Sequence, residues 1–136
     1  MPTQSQLVLK KADPNSVIIG LGSNISPHYH IELALQALSS QFTIINQSPL
    51  VVTAPVAYLQ QPSFINASVL IETTLTPDEL KQRLLNIEST LGRVRTSNKN
   101  GPRTIDLDIL VWNNHVVDAD FDSRLFLQEL VLSVLD

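Results

Sequence analysis

Two aspartates, Asp106 and Asp108, stand two residues apart inside a run of leucine, isoleucine and valine. If this run is a β-strand, its side chains alternate between two faces, so both carboxylates emerge on one face with Cα atoms roughly 6.5–7 Å apart. Leu107, Ile109 and Val111 then point into a core on the other face. Two carboxylates at this spacing repel each other unless a cation lies between them, and their hard oxygens suit Mg²⁺. The pattern therefore predicts a metal-assisted phosphoryl-transfer site on a rigid strand.

The loop before this strand is basic and supplies Arg93, Arg95, Lys99 and Arg103. A planar guanidinium matches phosphate oxygens with two parallel hydrogen bonds. Arginines beside a candidate metal site indicate a phosphate ester or a polyphosphate as the substrate. The alternative is that the aspartates are only the solvated face of an amphipathic strand. Aspartate is disfavoured in strands, however, so a pair of them needs a reason.

The elements that hold these residues follow from hydrophobic periodicity and from turn and capping residues. Strands are predicted at 17–21, 42–47, 50–53 and 64–73 and over the aspartate run, and helices from Pro27 to about Ser40, from Thr76 to Gly92 and from Asp122 to Leu135. The order β-α-β-β-α-β is that of a ferredoxin-like split βαβ sandwich. The predicted fold class is α+β: an antiparallel sheet with two main helices packed on one face, plus a C-terminal helix.

A chain of 136 residues with net charge −4 is long enough for one hydrophobic core. Residues 1–15 are polar and show no periodicity, so we predict a flexible leader at 1–15 and a single domain at 16–136. The acidic balance argues against a nucleic-acid groove, and the absence of cysteine excludes disulfides and thiolate metal sites. No apolar stretch reaches the ~20 residues of a membrane span. The sequence predicts a cytoplasmic small-molecule enzyme that binds neither nucleic acid nor membrane.

Two further segments carry weaker signals. Gly22-Ser23-Asn24 follows the first strand, and its simplest interpretation is a tight strand-to-helix turn. A helix N-terminus can also bind phosphate, but the chain has no Walker A sequence. The loop 55–66 contains Tyr58, Phe64 and Asn66, which suit a flat heterocycle. The alternative places Phe64 in the core and Asn66 in solvent.

Six segments together resemble a known family. They are Gly22-Ser23-Asn24, Thr53-Ala54-Pro55, Phe64-Ile65-Asn66-Ala67, Ile87-Glu88, Gly92-Arg93-Val94-Arg95 and Gly101-Pro102-Arg103-Thr104-Ile105-Asp106-Leu107-Asp108-Ile109. In this order and at this spacing they resemble the 6-hydroxymethyl-7,8-dihydropterin pyrophosphokinase family of folate biosynthesis, and the last block is specific to it. The likeness runs from about Val17 to Trp112 and resumes at Arg124-Leu125-Phe126.

The resemblance implies a reaction that moves the β,γ-diphosphate of ATP onto the pterin hydroxymethyl oxygen and releases AMP, with two Mg²⁺ ions. It implies four catalytic residues: the metal ligands Asp106 and Asp108, and Arg93 and Arg103, which engage the triphosphate. The implied pterin site is Thr53, Ala54, Phe64, Asn66 and Phe126, with Asn66 bonding the pterin edge and the phenyl rings stacking on its faces. The implied nucleotide site is Glu88, Arg93, Arg103, Ile109 and Arg124.

The chain departs from the family pattern at three places. Asn100 stands where the family usually has an aromatic or basic residue, and Leu85 stands at a glutamine position. No Pro-His pair follows the aspartate strand, and residues 117–123 bridge the gap to Arg124 directly, so the C-terminal part is short and divergent. Each lost phosphate contact costs on the order of 1.5–3 kcal/mol, so we expect weakened ATP binding or slow turnover.

These departures leave two alternatives to an active enzyme. One is a weakened or inactive paralogue that binds pterin or nucleotide without turnover. The other is a ferredoxin-like interaction module whose final helix, apolar around more than one face, forms a dimer contact or part of an incomplete core. We expect a monomer or weak dimer.

Overall fold

The computed structural model describes residues 13–55, 59–94 and 101–135. The elements, in chain order, are β1 Asn15–Ser23, α1 Pro27–Gln41, β2 Thr43–Gln47, β3 Val51–Thr53, β4 Phe64–Thr73, α2 Pro77–Thr90, β5 Asp106–Trp112, β6 His115–Val116 and α3 Leu125–Ser133. The predicted leader, residues 1–15, falls mostly outside the described residues. β1 begins at Asn15, the last residue of that predicted leader. Among the described helices none is long and apolar enough to span a membrane.

The strands form one antiparallel sheet in the order β2-β4-β1-β5-β6, and β3 also pairs with β4. Since β4 lies between β2 and β1, the unit β1-α1-β2 is a split βαβ unit. The fold is therefore the predicted α+β sandwich with an antiparallel sheet, and β1 is its central strand. The short β6 was not predicted; it arises because Asn113 adopts a positive φ of 53°, which closes a two-residue hairpin turn.

Helices cover both faces of the sheet. Alternate residues of β1, Val17, Ile19 and Leu21, pack with α1 and α2 on one face. The residue between the first two, Ile18, packs with Leu127, Val131 and Val134 of the C-terminal segment on the other face. The third helix therefore shields the face that α1 and α2 leave uncovered, and we call this the α3 face.

A β-bulge changes the predicted direction of one side chain. Ile18 lies opposite Val111 while the next residue of β1, Ile19, lies opposite Ile109, so Leu110 is an extra residue in β5. Leu107 and Ile109 pack on the α1/α2 face as predicted. The prediction for Val111 is wrong, because the bulge turns it toward the α3 face.

The third helix is shorter than predicted, because residues up to Arg124 form turns and its helical span is Leu125–Ser133. Side chains of the sheet cap its end: the Ser68 hydroxyl donates to the Leu130 carbonyl at 2.7 Å, and the Asn46 amide donates to the Val134 carbonyl at 3.4 Å. Helix C-terminal carbonyls need such partners. Leu125 and Leu132 of its outer side remain exposed.

The second helix begins with a complete capping box. The Thr76 hydroxyl accepts from the Glu79 N–H at 3.2 Å, and the Glu79 carboxylate accepts from the Thr76 N–H at 3.0 Å. The helix ends where predicted, since Gly92 has a φ of 85° that side chains disfavour.

The substitution Thr76→Ala removes this cap and is expected to lower the free energy of unfolding by about 1 kcal/mol. Urea denaturation measures this change. The matched control is Thr74→Ala at an exposed position two residues earlier, for which we expect a change below about 0.5 kcal/mol. Equal midpoints for the two variants would show that the box does not stabilise the helix.

Candidate active site

The two aspartates lie on the α3 face opposite two glycines. Asp106 pairs across the sheet with Gly22, and Asp108 pairs with Gly20. On its other side Gly22 pairs with Asn66 of β4. Because facing residues in a sheet share a face, the aspartates and Asn66 open into the same space. Because the glycines have no side chains, their backbone forms the floor of that space, and the Leu110 and Asn66 side chains approach it closely.

A first pocket lies above these glycines on the α3 face of the sheet. Its lining includes Gly22, Thr53, Ala54, Phe64, Asn66, Arg103, Asp106, Asp108, Leu110, Asp118, Asp120, Arg124, Phe126, Leu127 and Leu130. The five residues predicted to surround the pterin are all in this set. The buried Asn66 amide donates to the Thr53 hydroxyl, which fixes the orientation of the amide.

A second pocket lies beside β5, where the short β6 leaves its first residues without a neighbouring described strand. The lining is Lys81, Leu84, Leu85, Glu88, Asp106, Leu107, Asp108, Ile109, Val117, Asp118 and Ala119. Asp106 and Asp108 line both pockets. The aspartate pair therefore stands at the border between two adjoining pockets, one beside aromatic residues and one beside α2.

Partly buried ion pairs hold Asp106 in place. The Arg93 guanidinium donates to Asp106 Oδ1 at 2.7 Å, to Glu88 Oε2 at 3.2 Å and to the Ile105 carbonyl at 3.1 Å. Glu88, only 3% exposed, also accepts from the Leu107 N–H at 2.7 Å. Glu88 thus fixes the backbone between the two aspartates. The sequence resemblance placed Glu88 on the nucleotide side. Glu88 does line the second pocket, and its carboxylate also bonds to Arg93 and to the Leu107 N–H within the protein.

Arg103 joins the aspartate pair to the aromatic pocket. Its guanidinium donates to Asp106 Oδ2 at 3.0 Å and lies 5.4 Å from the centroid of the Phe64 ring. A cation at this distance from an aromatic ring is attracted by its π-electrons. One arginine therefore contacts residues from both halves of the site.

The two carboxylates titrate differently because their neighbours differ. Burial would raise the pKa of Asp106, but the hydrogen bond and charge of Arg93, with the charge of Arg103, hold that pKa below its ordinary value. For Asp108, burial of the site and the adjacent Asp106 charge raise the pKa to about 8, with a further contribution from Asp118. The Asp108 carboxylate still reaches solvent in the cleft, so water screens part of this repulsion.

The donor set fits Mg²⁺ bound together with a phosphate ligand. Among residues 13–55, 59–94 and 101–135, no three or more His, Cys, Asp or Glu side chains form a complete metal cage. Mg²⁺ typically uses one or two carboxylates plus substrate phosphates and water. The mutual repulsion of Asp106 and Asp108, seen in the raised Asp108 pKa, is what a bound cation would relieve.

The remaining predicted residues fall on both sides of the pair. Ile109 and Glu88, which the resemblance assigns to the nucleotide site, line the second pocket. Arg124 instead lines the first pocket with Phe126 and pairs with Asp120 at 3.6 Å. Tyr58, Arg95, Lys99 and Asn100 lie outside the described residues.

Sequence reasoning missed several residues of the site. Leu110, Leu127 and Leu130 form apolar lining of the first pocket, and their leucine-rich segments signal only core packing. Asp118 lines both pockets, and its position in a polar linker gave no sign of this. Asn24 is buried between three loops, although its turn sequence indicated only a strand-to-helix connection.

The structure is an α+β protein in which a pair of carboxylates, held by arginines, lies between two pockets. Comparison with known sequences agrees: the model of the 7,8-dihydro-6-hydroxymethylpterin-pyrophosphokinase family matches residues 18–135. The chain belongs to this family.

Individual relatives support the same assignment. The chain is 37% identical over 105 residues to the 2-amino-4-hydroxy-6-hydroxymethyldihydropteridine pyrophosphokinase of Pseudomonas aeruginosa, covering 75% of this chain and 64% of that protein. It is 38% identical over 109 residues to the Bacillus subtilis protein of the same name, covering 78% and 65%. It is also 37% identical over 105 residues to the folic acid synthesis protein fol1 of Schizosaccharomyces pombe, covering 75% and 14%. The matched segment thus spans slightly less than two thirds of the two bacterial relatives.

Proposed function

We propose that this chain transfers the diphosphate of ATP to 6-hydroxymethyl-7,8-dihydropterin, producing AMP, in folate biosynthesis. The observation that carries the proposal is the position of Asp106 and Asp108 at the border of two pockets. A diphosphate donor and its acceptor must meet at one phosphorus atom, and the border is where ligands of the two pockets would meet. The names of the relatives support the identity of both substrates.

The first pocket suits the pterin. Phe64 and Phe126 offer ring faces for stacking, and the Asn66 amide, held by the Thr53 hydroxyl, is set to recognise a polar ring edge. Ala54 contributes a small side chain to the same lining. Binding here would point the hydroxymethyl group toward the aspartate pair, as the chemistry requires.

The second pocket, with Glu88 and Ile109, suits the nucleoside part of ATP. Arg103 and Arg124 of the first pocket supply positive charge for the phosphates, and Arg93 adds its charge from behind Asp106. Asp106 and Asp108 would hold Mg²⁺, two ions in our proposal. Bound Mg²⁺ would neutralise phosphate charge and polarise the reacting phosphorus.

The side chains then act by positioning and electrostatics. The pterin hydroxymethyl oxygen forms a bond to the β-phosphorus of ATP and gives up its proton to solvent. The bond from that phosphorus to the α,β-bridging oxygen breaks, and its electron pair leaves with AMP. Arg103 is placed to stabilise negative charge that shifts during this transfer, because it already contacts both Asp106 and Phe64. A pocket closed by α3 residues would also exclude water, which otherwise competes as the acceptor.

One observation favours a second candidate, binding without turnover. In the linker between β6 and α3, Asp118 lines both pockets and Asp120 lines the first. Their negative charge lies near the aspartate pair, where it opposes an anionic triphosphate. The chain also lacks a Pro-His pair in this linker. Slow turnover with retained pterin binding would fit this candidate.

We further propose a cytoplasmic monomer or weak dimer that binds neither nucleic acid nor membrane. The net charge of −4 supports the absence of nucleic-acid and membrane binding, because it disfavours anionic partners. Sedimentation at several protein concentrations tests the oligomeric state, and a tight dimer at micromolar concentration would contradict it.

The test of the function is AMP formation from ATP by the purified protein with Mg²⁺ and 6-hydroxymethyl-7,8-dihydropterin. We expect AMP only when both the pterin and Mg²⁺ are present. Folded protein that binds the pterin but forms no AMP would support the binding-only candidate. Folded protein that does neither would contradict both.

Gly22→Ala tests the pterin pocket separately. A Cβ at Gly22 would lie 2.9 Å from Asn66 Oδ1, which is too close and must displace the amide. We expect the KM for the pterin to rise about tenfold, the cost of one lost hydrogen bond, with a smaller change in kcat. The control is Ser16→Ala, an exposed position on the same strand. Unchanged pterin KM in Gly22→Ala would remove Asn66 from the proposed pterin site.

A further inference from the structure

Asn24 is a buried amide that none of the proposed substrate contacts includes. It follows β1 in the turn to α1 and is only 4% exposed. A buried amide is costly unless its polar atoms are bonded. In this chain its atoms reach two other loops of the site.

The first set of bonds fixes Arg103. The Arg103 N–H donates to Asn24 Oδ1 at 2.9 Å, and the Asn24 N–H donates to the Arg103 carbonyl at 3.2 Å. This reciprocal pair pins the backbone from which the Arg103 guanidinium reaches Asp106 and Phe64.

The second set of bonds fixes the loop before β4. The Asn24 side-chain N–H₂ donates to Gln61 Oε1 at 2.8 Å and to the Pro62 carbonyl at 3.1 Å. Pro62 lies two residues before Phe64, so this contact sets the entry of the chain into the aromatic wall of the first pocket.

These bonding partners restrict which side chain can occupy position 24. The Arg103 N–H requires an acceptor and the Pro62 carbonyl requires a donor, so the amide has one orientation, with oxygen toward Arg103. Aspartate keeps the acceptor but loses the donor, and alanine loses both. Asparagine therefore meets both requirements at this length of side chain.

We propose that Asn24 is a positioning residue that couples the two halves of the site by holding the Arg103 backbone and the 61–62 loop in register. This inference rests on the proposed function where it concerns turnover. Its structural part, the clamp on the Arg103 amide, stands independently of the reaction.

The test compares Asn24→Ala with Asn24→Asp. In Asn24→Ala we expect exchange of the Arg103 amide hydrogen to accelerate about tenfold, because its acceptor is lost, and kcat to fall about tenfold. In Asn24→Asp the acceptor remains, so we expect amide protection and kcat within about threefold of the unsubstituted chain, while the pterin KM rises in both variants. If Asn24→Ala does not fold, Asn24→Asp still tests whether the pterin KM rises while kcat stays nearly unchanged.

Asn113→Gly is the matched control. Asn113 makes a similar pair of bonds at an exposed position, since its Oδ1 accepts from the Ser16 N–H at 2.9 Å and its amide donates to Asn15 Oδ1 at 3.1 Å. It lies at the other end of β5, roughly 20 Å from the aspartates by strand length. Glycine tolerates its positive φ, so this variant loses similar bonds without affecting the site.

The outcomes separate the two proposals. If the unsubstituted protein forms no AMP but Arg103 loses protection only in Asn24→Ala, the clamp is upheld and the proposed function fails. If the protein is active but Arg103 exchange is the same in both Asn24 variants, the clamp is wrong. Kinetic losses in Asn24→Ala no larger than those in Asn113→Gly would also overturn it.

Discussion

The substitution Asp108→Asn is expected to abolish AMP formation while making the metal-free fold more stable. Amide oxygen is a weaker ligand for Mg²⁺ than carboxylate, and loss of a metal contact of several kcal/mol lowers kcat/KM by about 10³-fold or more. Asparagine keeps the volume of aspartate. The loss would therefore report the charge of Asp108 rather than a packing defect.

The stability effect has the opposite sign because the Asp108 pKa is raised. Its value of about 8 in the fold exceeds the ordinary value of 3.8, so the folded state favours the protonated carboxyl. The protonated Asp108 carboxyl contributes fully to folding stability below about pH 4, and this contribution is lost as the pH rises toward 8. At pH 8 the variant avoids this penalty. Solvent reaches the carboxyl, so we expect a gain of only about 1 kcal/mol.

Urea denaturation in chelator at pH 5 and pH 8 measures this effect beside the activity assay. We expect the variant to be more stable than the unsubstituted chain at pH 8 and the difference to shrink at pH 5. Asp122→Asn, at an exposed site outside both pockets, is the matched control and should change neither property. An active Asp108→Asn variant would show that the aspartate pair is not the metal site.

Arg93→Ala is expected to cause the largest loss of stability. The guanidinium lies largely buried between Glu88 and Asp106, and its removal takes away the cation that these two carboxylates share, leaving Arg103 as the remaining arginine on Asp106. Removing one partner of a buried ion pair typically costs 3–5 kcal/mol, so we expect a decrease of about 3 kcal/mol in the free energy of unfolding. Activity should fall as well, because Asp106 loses one of the two arginines that orient it.

The control for this experiment is Arg83→Ala on the exposed side of α2, for which we expect less than about 0.5 kcal/mol. Denaturation midpoints at pH 7 make the comparison. The low pKa of Asp106 adds a second readout: that carboxylate contributes stability above its ordinary pKa of 3.8, and the contribution is lost as the pH falls below it. Arg93→Ala should reduce this acid sensitivity. A variant as stable as Arg83→Ala would show that the network does not stabilise the fold.

Local patterns in the sequence were sufficient for much of the fold. Alternation along β5 correctly placed Asp106 and Asp108 on one face, and the bounds predicted for 64–73 agree with β4. The capping box at Thr76 correctly began α2. In each case the signal lies within a few neighbouring residues.

Features that depend on distant partners were not predictable in this way. The bulge that redirects Val111 exists because of how β5 pairs with β1, and neither strand shows it alone. The bond from Arg103 to Asn24 spans 79 residues. The resemblance placed Glu88 on the nucleotide side, and no local pattern predicted its bond from the Leu107 N–H, 19 residues further along the chain. Long-range contacts therefore decide which polar residues serve the site.

The most direct test of the account is to follow the phosphorus atoms of ATP through the reaction. We predict that label from [β-³²P]ATP and from [γ-³²P]ATP both appear in the pterin product, while label from [α-³²P]ATP remains in AMP. Transfer of the γ-label alone, with ADP as the second product, would contradict diphosphate transfer. Absence of label in the pterin, in protein shown to be folded, would contradict the proposed enzyme altogether.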